Sequence, residues 1–189
     1  MTHSIRTYRH IFLVVALLLL TASVARSQTS DWKTYTYASD GFSASYPAEP
    51  EMQKRDIPTD KGSFELRSYI AQVAPVALFI GVCDYGSAAQ ASEPDAMLEG
   101  AKNGALANSK SHLISERKIT LGIYRGIAFE SESDAAHFSA RIYMVGTTLY
   151  QTLVVSPLNK EYPDAARFLD SFQLIEPTKA ALSIPVFSW

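Results

Sequence analysis

The alternation of apolar and polar positions is clearest in HFSARIYMVGTTLYQTLVV, His137 to Val155. Two runs of period two flank Gly146-Thr147, which fits a two-residue type II′ loop with glycine at its first central position. That loop pairs Val145 with Thr148 and sets the remaining register: Met144 with Leu149, Ile142 with Gln151, Ala140 with Leu153, Phe138 with Val155. The other parity pairs Tyr143 with Tyr150, Arg141 with Thr152 and Ser139 with Val154. One face is then apolar except for Gln151, and the other is aromatic and polar. A slip of one residue would mix the two sets, because it turns one strand over.

Similar patterning organises the rest. Lys33–Tyr37 and Phe42–Tyr46 flank Ser39-Asp40-Gly41, an Asp-Gly hairpin signal. Pro47 and Pro50 end the second strand, since proline donates nothing to a ladder. A third strand near Glu51 to Ile57 turns at Asp60-Lys61-Gly62 into a fourth, Phe64 to Gln72. There Phe64, Leu66 and Ile70 alternate with Glu65, Arg67 and Tyr69, which predicts one wet face. Val76 to Cys83 is apolar on both parities, so it is read as central and covered on both sides. Leu113–Thr120, Tyr124–Glu132, His137–Val145 and Leu149–Val155 are four further strands, with a short one at Gln173–Ile175.

Two helices are predicted to cover the sheet. Ser92-Glu93-Pro94-Asp95 reads as a capping box, with Ser92 as N-cap and the helix running to about Asn108. Ala96, Gly100 and Gly104 form a small-residue stripe. Glycine in a helix costs about 1 kcal/mol relative to alanine, a cost expected to be offset by close approach to the sheet. The second helix starts near Pro163, with Ala165, Phe168, Leu169 and Phe172 on one face. The fold class is α+β, an antiparallel sheet with helices packed on its faces.

The first 27 residues fall outside this pattern. Arg6 and Arg9 precede ten apolar residues, Ile11 to Leu20, and small residues then offer cleavage after Ala25 or Ser27. That is the layout of a secretory signal peptide, and the run is shorter than the roughly 20 residues of a spanning helix. An uncleaved anchor is the other reading. The domain is placed at residues 28–176 with a tail at 177–189, and the mature chain is expected to be exported, periplasmic or extracellular, without a transmembrane span.

Charge narrows the partners. Loss of the three leader arginines leaves 14 basic against 19 acidic side chains, a net charge of −5. No basic surface is left to track phosphates, so nucleic acid is not an expected partner. The lone Cys83 lies between Val82 and Asp84 and reads as a small buried hydrophobe, not a reactive thiol. Asp84 reads as the point where the apolar strand meets water.

Candidate chemistry is sparse. Only His112 and His137 follow the leader, and the nearest approach to a metal set is Glu130, Glu132, Asp134 and His137 in ESESDAAH. A solvated hairpin tip explains the same residues. Ser115 and Lys118 match S-x-x-K, but on a strand they point to opposite faces. No catalytic residue is assigned and no cofactor is implied. Arg141, Tyr143 and Tyr150 share a sheet face and stand as a candidate recognition surface, or as an arginine lying over paired tyrosines beneath a helix. The expected role is a non-catalytic module binding an envelope protein or small ligand, with an envelope hydrolase or metal enzyme at Glu130–His137 as the alternative.

WKTYTYASDGFSASYPAEP, GIYRGIAFESES, ARIYMVGTTLYQTLVV and ARFLDSFQLI together resemble exported bacterial proteins of the PsbP-like fold, which is shared with the Ran-binding Mog proteins. The resemblance runs from Trp32 to Ile175. It implies an α/β/α sandwich used for binding and not catalysis. PsbP proteins dock on a photosystem and Mog proteins on a nuclear GTPase. The leader excludes the nuclear role, and no binding residue of either carries over.

Overall fold

The computed structural model describes residues 31–59, 62–90 and 93–175. The leader, residues 60 and 61, Ser92 and the tail therefore lie outside the described residues. The strands are β1 (Lys33–Tyr37), β2 (Phe42–Tyr46), β3 (Glu51–Thr59), β4 (Gly62–Val73), β5 (Val76–Asp84), β6 (His112–Leu121), β7 (Tyr124–Glu132), β8 (Ala136–Val145), β9 (Thr148–Pro157) and β10 (Gln173–Leu174). The helices are α1 (Ser87–Gln90), α2 (Pro94–Ser109) and α3 (Ala165–Asp170), and a 3₁₀ turn spans Ala38–Asp40. The single turn of α1 sits where the sequence pattern indicates only loop.

Seven strands form one antiparallel sheet in the order β3-β4-β5-β9-β8-β7-β6. Two meanders, β3–β5 and β6–β9, meet where β5 pairs with β9. The predicted β8–β9 register is found at every pair, from Val145 opposite Thr148 to Phe138 opposite Val155. Gly146 takes φ +60° at the turn, a conformation glycine adopts without steric cost.

One face carries α2, which packs on β7 and β8. Leu98 is buried there with Ile127, Phe129, Ala140, Ile142, Met144 and Leu149. Full burial of one such aliphatic side chain is worth about 1.5–3 kcal/mol. Across the sheet lies a separate three-stranded sheet, β1-β2-β10, accompanied by α3. Phe42, Ala44 and Tyr46 of β2 alternate inward onto Tyr69, Leu78, Ile80 and Val82, and Phe168 and Phe172 close the layer. Strand β5 is thus covered on the small-sheet face, where Val76, Leu78, Ile80 and Val82 are buried, whereas Ala77 and Phe79 on the other parity are only half-buried, so the expected cover on both sides is partial. The sandwich differs from two helical layers in that a small sheet supplies most of one of them.

Three local expectations are corrected. The N-cap of α2 is Glu93, with no side-chain cap hydrogen bond, and Pro94 opens the helix. Asp95 stands in the first turn of the helix. Its carboxylate takes Arg125 at 3.2 Å and Lys118 at 3.6 Å, tying the helix to β6 and β7. Gly100 and Gly104 do not mediate close approach, because a Cβ at either would meet nothing within 4 Å. Finally, the β4 face bearing Arg67 and Tyr69 is covered by the small sheet: Tyr69 is 4% exposed. Close approach occurs instead at Gly126, where a Cβ would lie 2.5 Å from the Ile142 carbonyl and 2.6 Å from the Tyr143 ring.

Candidate functional site

Cross-strand pairing sorts the covered face of β6–β9 into rows. Ile119, Gly126, Tyr143 and Tyr150 form one, followed by Arg117, Ala128, Arg141 and Thr152. Then come Ser115, Glu130, Ser139 and Val154, and at the end His112, Glu132, His137 and Ser156. Side chains along the face therefore grade from aromatic to polar.

At the aromatic end the proposed recognition surface does not stand open. Tyr143 is 4% and Tyr150 6% exposed. Phe172 stacks on Tyr143 at 5.9 Å with the rings 4° apart, and also packs on Tyr150 at 5.5 Å. The Tyr150 hydroxyl donates to the Asp40 carbonyl at 2.8 Å. Arg141, with 18% of its side chain exposed, donates to Asp170 at 2.6 Å and to the Leu169 carbonyl at 3.2 Å. The three residues share a face, as the register requires, but α3 and the small sheet cover them. The reason is that the inner face of β2 is apolar and needs this aromatic surface to leave water.

Beside them, buried Asp40 accepts from Arg67 Nε at 2.7 Å and from the Tyr69 hydroxyl. Burial, then the Asp40 hydrogen bond, pushes the Tyr69 phenol up. Burial likewise lifts the Cys83 thiol, in keeping with an inert residue. Asp84 is exposed at the strand end, where the Gly86 amide and then the Thr147 hydroxyl hold its carboxyl below the usual range.

At the polar end, His137 lies between two carboxylates. Nε2 is 2.9 Å from Glu130 and Nδ1 is 3.1 Å from Glu132. Asp134, the fourth member of the predicted metal set, is exposed in the turn and does not line the adjoining cavity. The other three do not converge on one point, because the two ring nitrogens face different carboxylates. Among the described residues no group of three or more His, Cys, Asp or Glu has the geometry to hold a metal ion.

Two cavities open on this end of the face. One, of about 450 Å³, is bounded by Glu130, Glu132 and His137 on the sheet and by Lys160 and Tyr162 opposite. The other, of about 380 Å³, is bounded by Arg117, Ala128 and Arg141 with Leu169. Glu130, Ser139, Glu161 and Ala165 line both, so they form one trough along the foot of α3. Asn159 adopts φ +61° in the turn that carries Lys160, Glu161 and Tyr162 over the sheet. Sequence reading singled out Glu130, Glu132, His137 and Arg141 on separate grounds, and the fold brings them to one trough. It missed Arg117 and Glu161. The β6–β7 pairing would have indicated Arg117, whereas no periodicity places Glu161.

The sequence matches no family model and no curated protein. The structure is similar to the solution structure of cyanobacterial PsbP (CyanoP) from Synechocystis sp. PCC 6803, with a TM-score of 0.52 at 11% identity. The match covers 82% of this chain and 98% of that one. The fold is PsbP-like. At this identity the likeness concerns architecture alone, so the trough has to be interpreted from its own residues. Among the described residues, no helix of this PsbP-like domain is long and apolar enough to cross a membrane.

Proposed function

We propose that the chain is an exported, non-catalytic binding or accessory module of the cell envelope, contacting its partner through the trough between β6–β9 and α3. The observation that carries this is the gathering of Glu130, Glu132 and Glu161 with Arg117 and Arg141 along one concave polar surface. Such a surface complements a polypeptide segment or small ligand bearing both signs of charge. The hydrolase reading gains no support here. A general base needs a ring nitrogen free to take a proton, and both nitrogens of His137 already face carboxylates. Export rests on the leader pattern, and intact mass of the envelope-fraction protein distinguishes cleavage after Ala25 from cleavage after Ser27.

Recovery of partners from an envelope fraction by wild type and by an Arg117→Glu/Glu130→Lys protein tests the surface. At least one partner held by the wild type is expected to be lost by the charge-reversed protein. Identical recovery by the two proteins would remove the trough as the contact surface.

A further inference from the structure

On the opposite face of the sheet, α2 covers β7 and β8 and leaves the β3–β5 side open. Between α2 and those strands runs a groove of about 380 Å³, with Ile57, Phe64, Leu66, Met97 and Leu149 among its walls. That volume and apolar lining are those of a small-molecule site. Rows of the sheet explain the floor: Arg55, Leu66, Cys83 and Leu149 lie side by side across four strands, next to Ile57 and Phe64. The Phe64 and Tyr85 rings meet at 4.9 Å within this lining.

The helix itself is two-sided. Asp95 is engaged with Lys118 of β6 and Arg125 of β7, and Lys102 with Glu99 of its own helix and Glu116 of β6. The edge toward the groove carries Ala96, Gly100, Ala101, Gly104 and Ala105 and no charge. Because a Cβ at Gly100 or Gly104 would meet nothing within 4 Å, packing of the fold does not require glycine there. Yet glycine weakens a helix interior. The groove follows the helix for about 18 Å, at 1.5 Å per residue from Ala96 to Asn108, and the two glycines leave its middle without side chains. Among the described residues, Arg55 is the one charged residue lining it.

We infer that this groove binds a linear aliphatic chain with an anionic head, its body along the glycine edge of α2 and its head at Arg55. An apolar channel with one cation complements that shape and charge, and the site is separate from the trough on the other face.

Calorimetry with dodecanoate below its micellar concentration, on the full mature protein, tests this. Saturable one-to-one binding is expected, weakened about tenfold or more by Gly104→Leu, Gly100→Leu or Arg55→Glu. Dodecyltrimethylammonium, with the same tail and a positive head, is expected to bind more weakly than dodecanoate. Gly104→Ala guards against loss of fold, because it is expected to melt no lower than wild type while still narrowing the groove. The inference is overturned by absence of dodecanoate binding, by equal affinity in the filled variants, or by indifference to the head charge. Light scattering showing a dimer that Gly104→Leu converts to monomer would also overturn it, assigning the groove to a second copy. The Arg117→Glu/Glu130→Lys protein keeps dodecanoate binding if the two sites are independent, so either reading can fail alone.

Discussion

At the scale of single residues, the decisive interactions lie where the small sheet meets the large one. Asp40 is 7% exposed and joins the turn of the β1–β2 hairpin to Arg67 and Tyr69 of β4. Replacing it by alanine leaves a phenol and a guanidinium without their acceptor, and an unmet buried donor costs about 1–3 kcal/mol. Arg67 keeps Glu65 at 3.0 Å and some contact with water. Asp40→Ala is accordingly expected to destabilise by about 2 kcal/mol, read as a lower urea midpoint with an unchanged slope. Gly126 makes a sharper case. Alanine there collides with a backbone carbonyl, which cannot swing aside as a side chain can. Gly126→Ala is expected to cost about 1–3 kcal/mol, the range for overpacking, as seen in thermal melting.

At the scale of elements, the β8–β9 hairpin was fully legible, because Gly146 fixes the loop and the loop fixes each pair. The central placement of β5 was legible from its apolar residues on both parities, although the parity bearing Ala77 and Phe79 is only half-buried. The cap of α2 was not. Ser92 and Asp95 fit a capping pattern, but Arg125 and Lys118 arrive from β6 and β7 and take the aspartate. The glycines of α2 misled in the other direction. A small-residue stripe reads as close packing, and only the three-dimensional arrangement shows space beside it. Gly104→Ala is therefore expected to raise stability by up to about 1 kcal/mol through helix propensity, in contrast to Gly126→Ala, and chemical denaturation of the pair separates the two kinds of glycine.

At the scale of the whole molecule, period-two patterns reveal strands without saying which sheet they join. The β1–β2 hairpin could have extended the large sheet. Instead it folds over Arg67, Tyr69 and Tyr150, whose mixed polarity looks solvent-facing in a linear reading. The trough shows the same limit, since His137, Glu130 and Arg117 come from three strands and Glu161 from a turn. The layer between the sheets is rich in buried phenols, and this has a consequence for pH. Burial pushes Tyr37 up to about 12 from 10.0, and on the α2 face it pushes Tyr85 to about 12 as well. Burial also lifts Tyr46, Tyr69 and Tyr150. A raised phenol keeps its proton in the folded state after the unfolded chain has lost it. The stabilisation is thus fully present below pH 10 and is lost as pH rises toward about 12. Urea midpoints measured at rising pH are expected to fall steeply across that window, with phenolate absorbance appearing as the protein unfolds. A flat midpoint there would contradict the burial of these hydroxyls.

The β5–β9 seam has a kinetic consequence. Each meander is built from neighbours in sequence, whereas Ala77 pairs with Val155 and Asp84 with Thr148 across a long stretch of chain. Local pairings close quickly and distant ones slowly, since loop closure is paid before the contacts return it. The two halves can therefore form early, each with an exposed inner strand, and wait for the seam. Until it closes, both β5 and β9 present unpaired, apolar edges of the kind that recruit other chains. The vulnerable moment for this protein is thus that interval, when two inner strands of the finished sheet are its most adhesive surfaces.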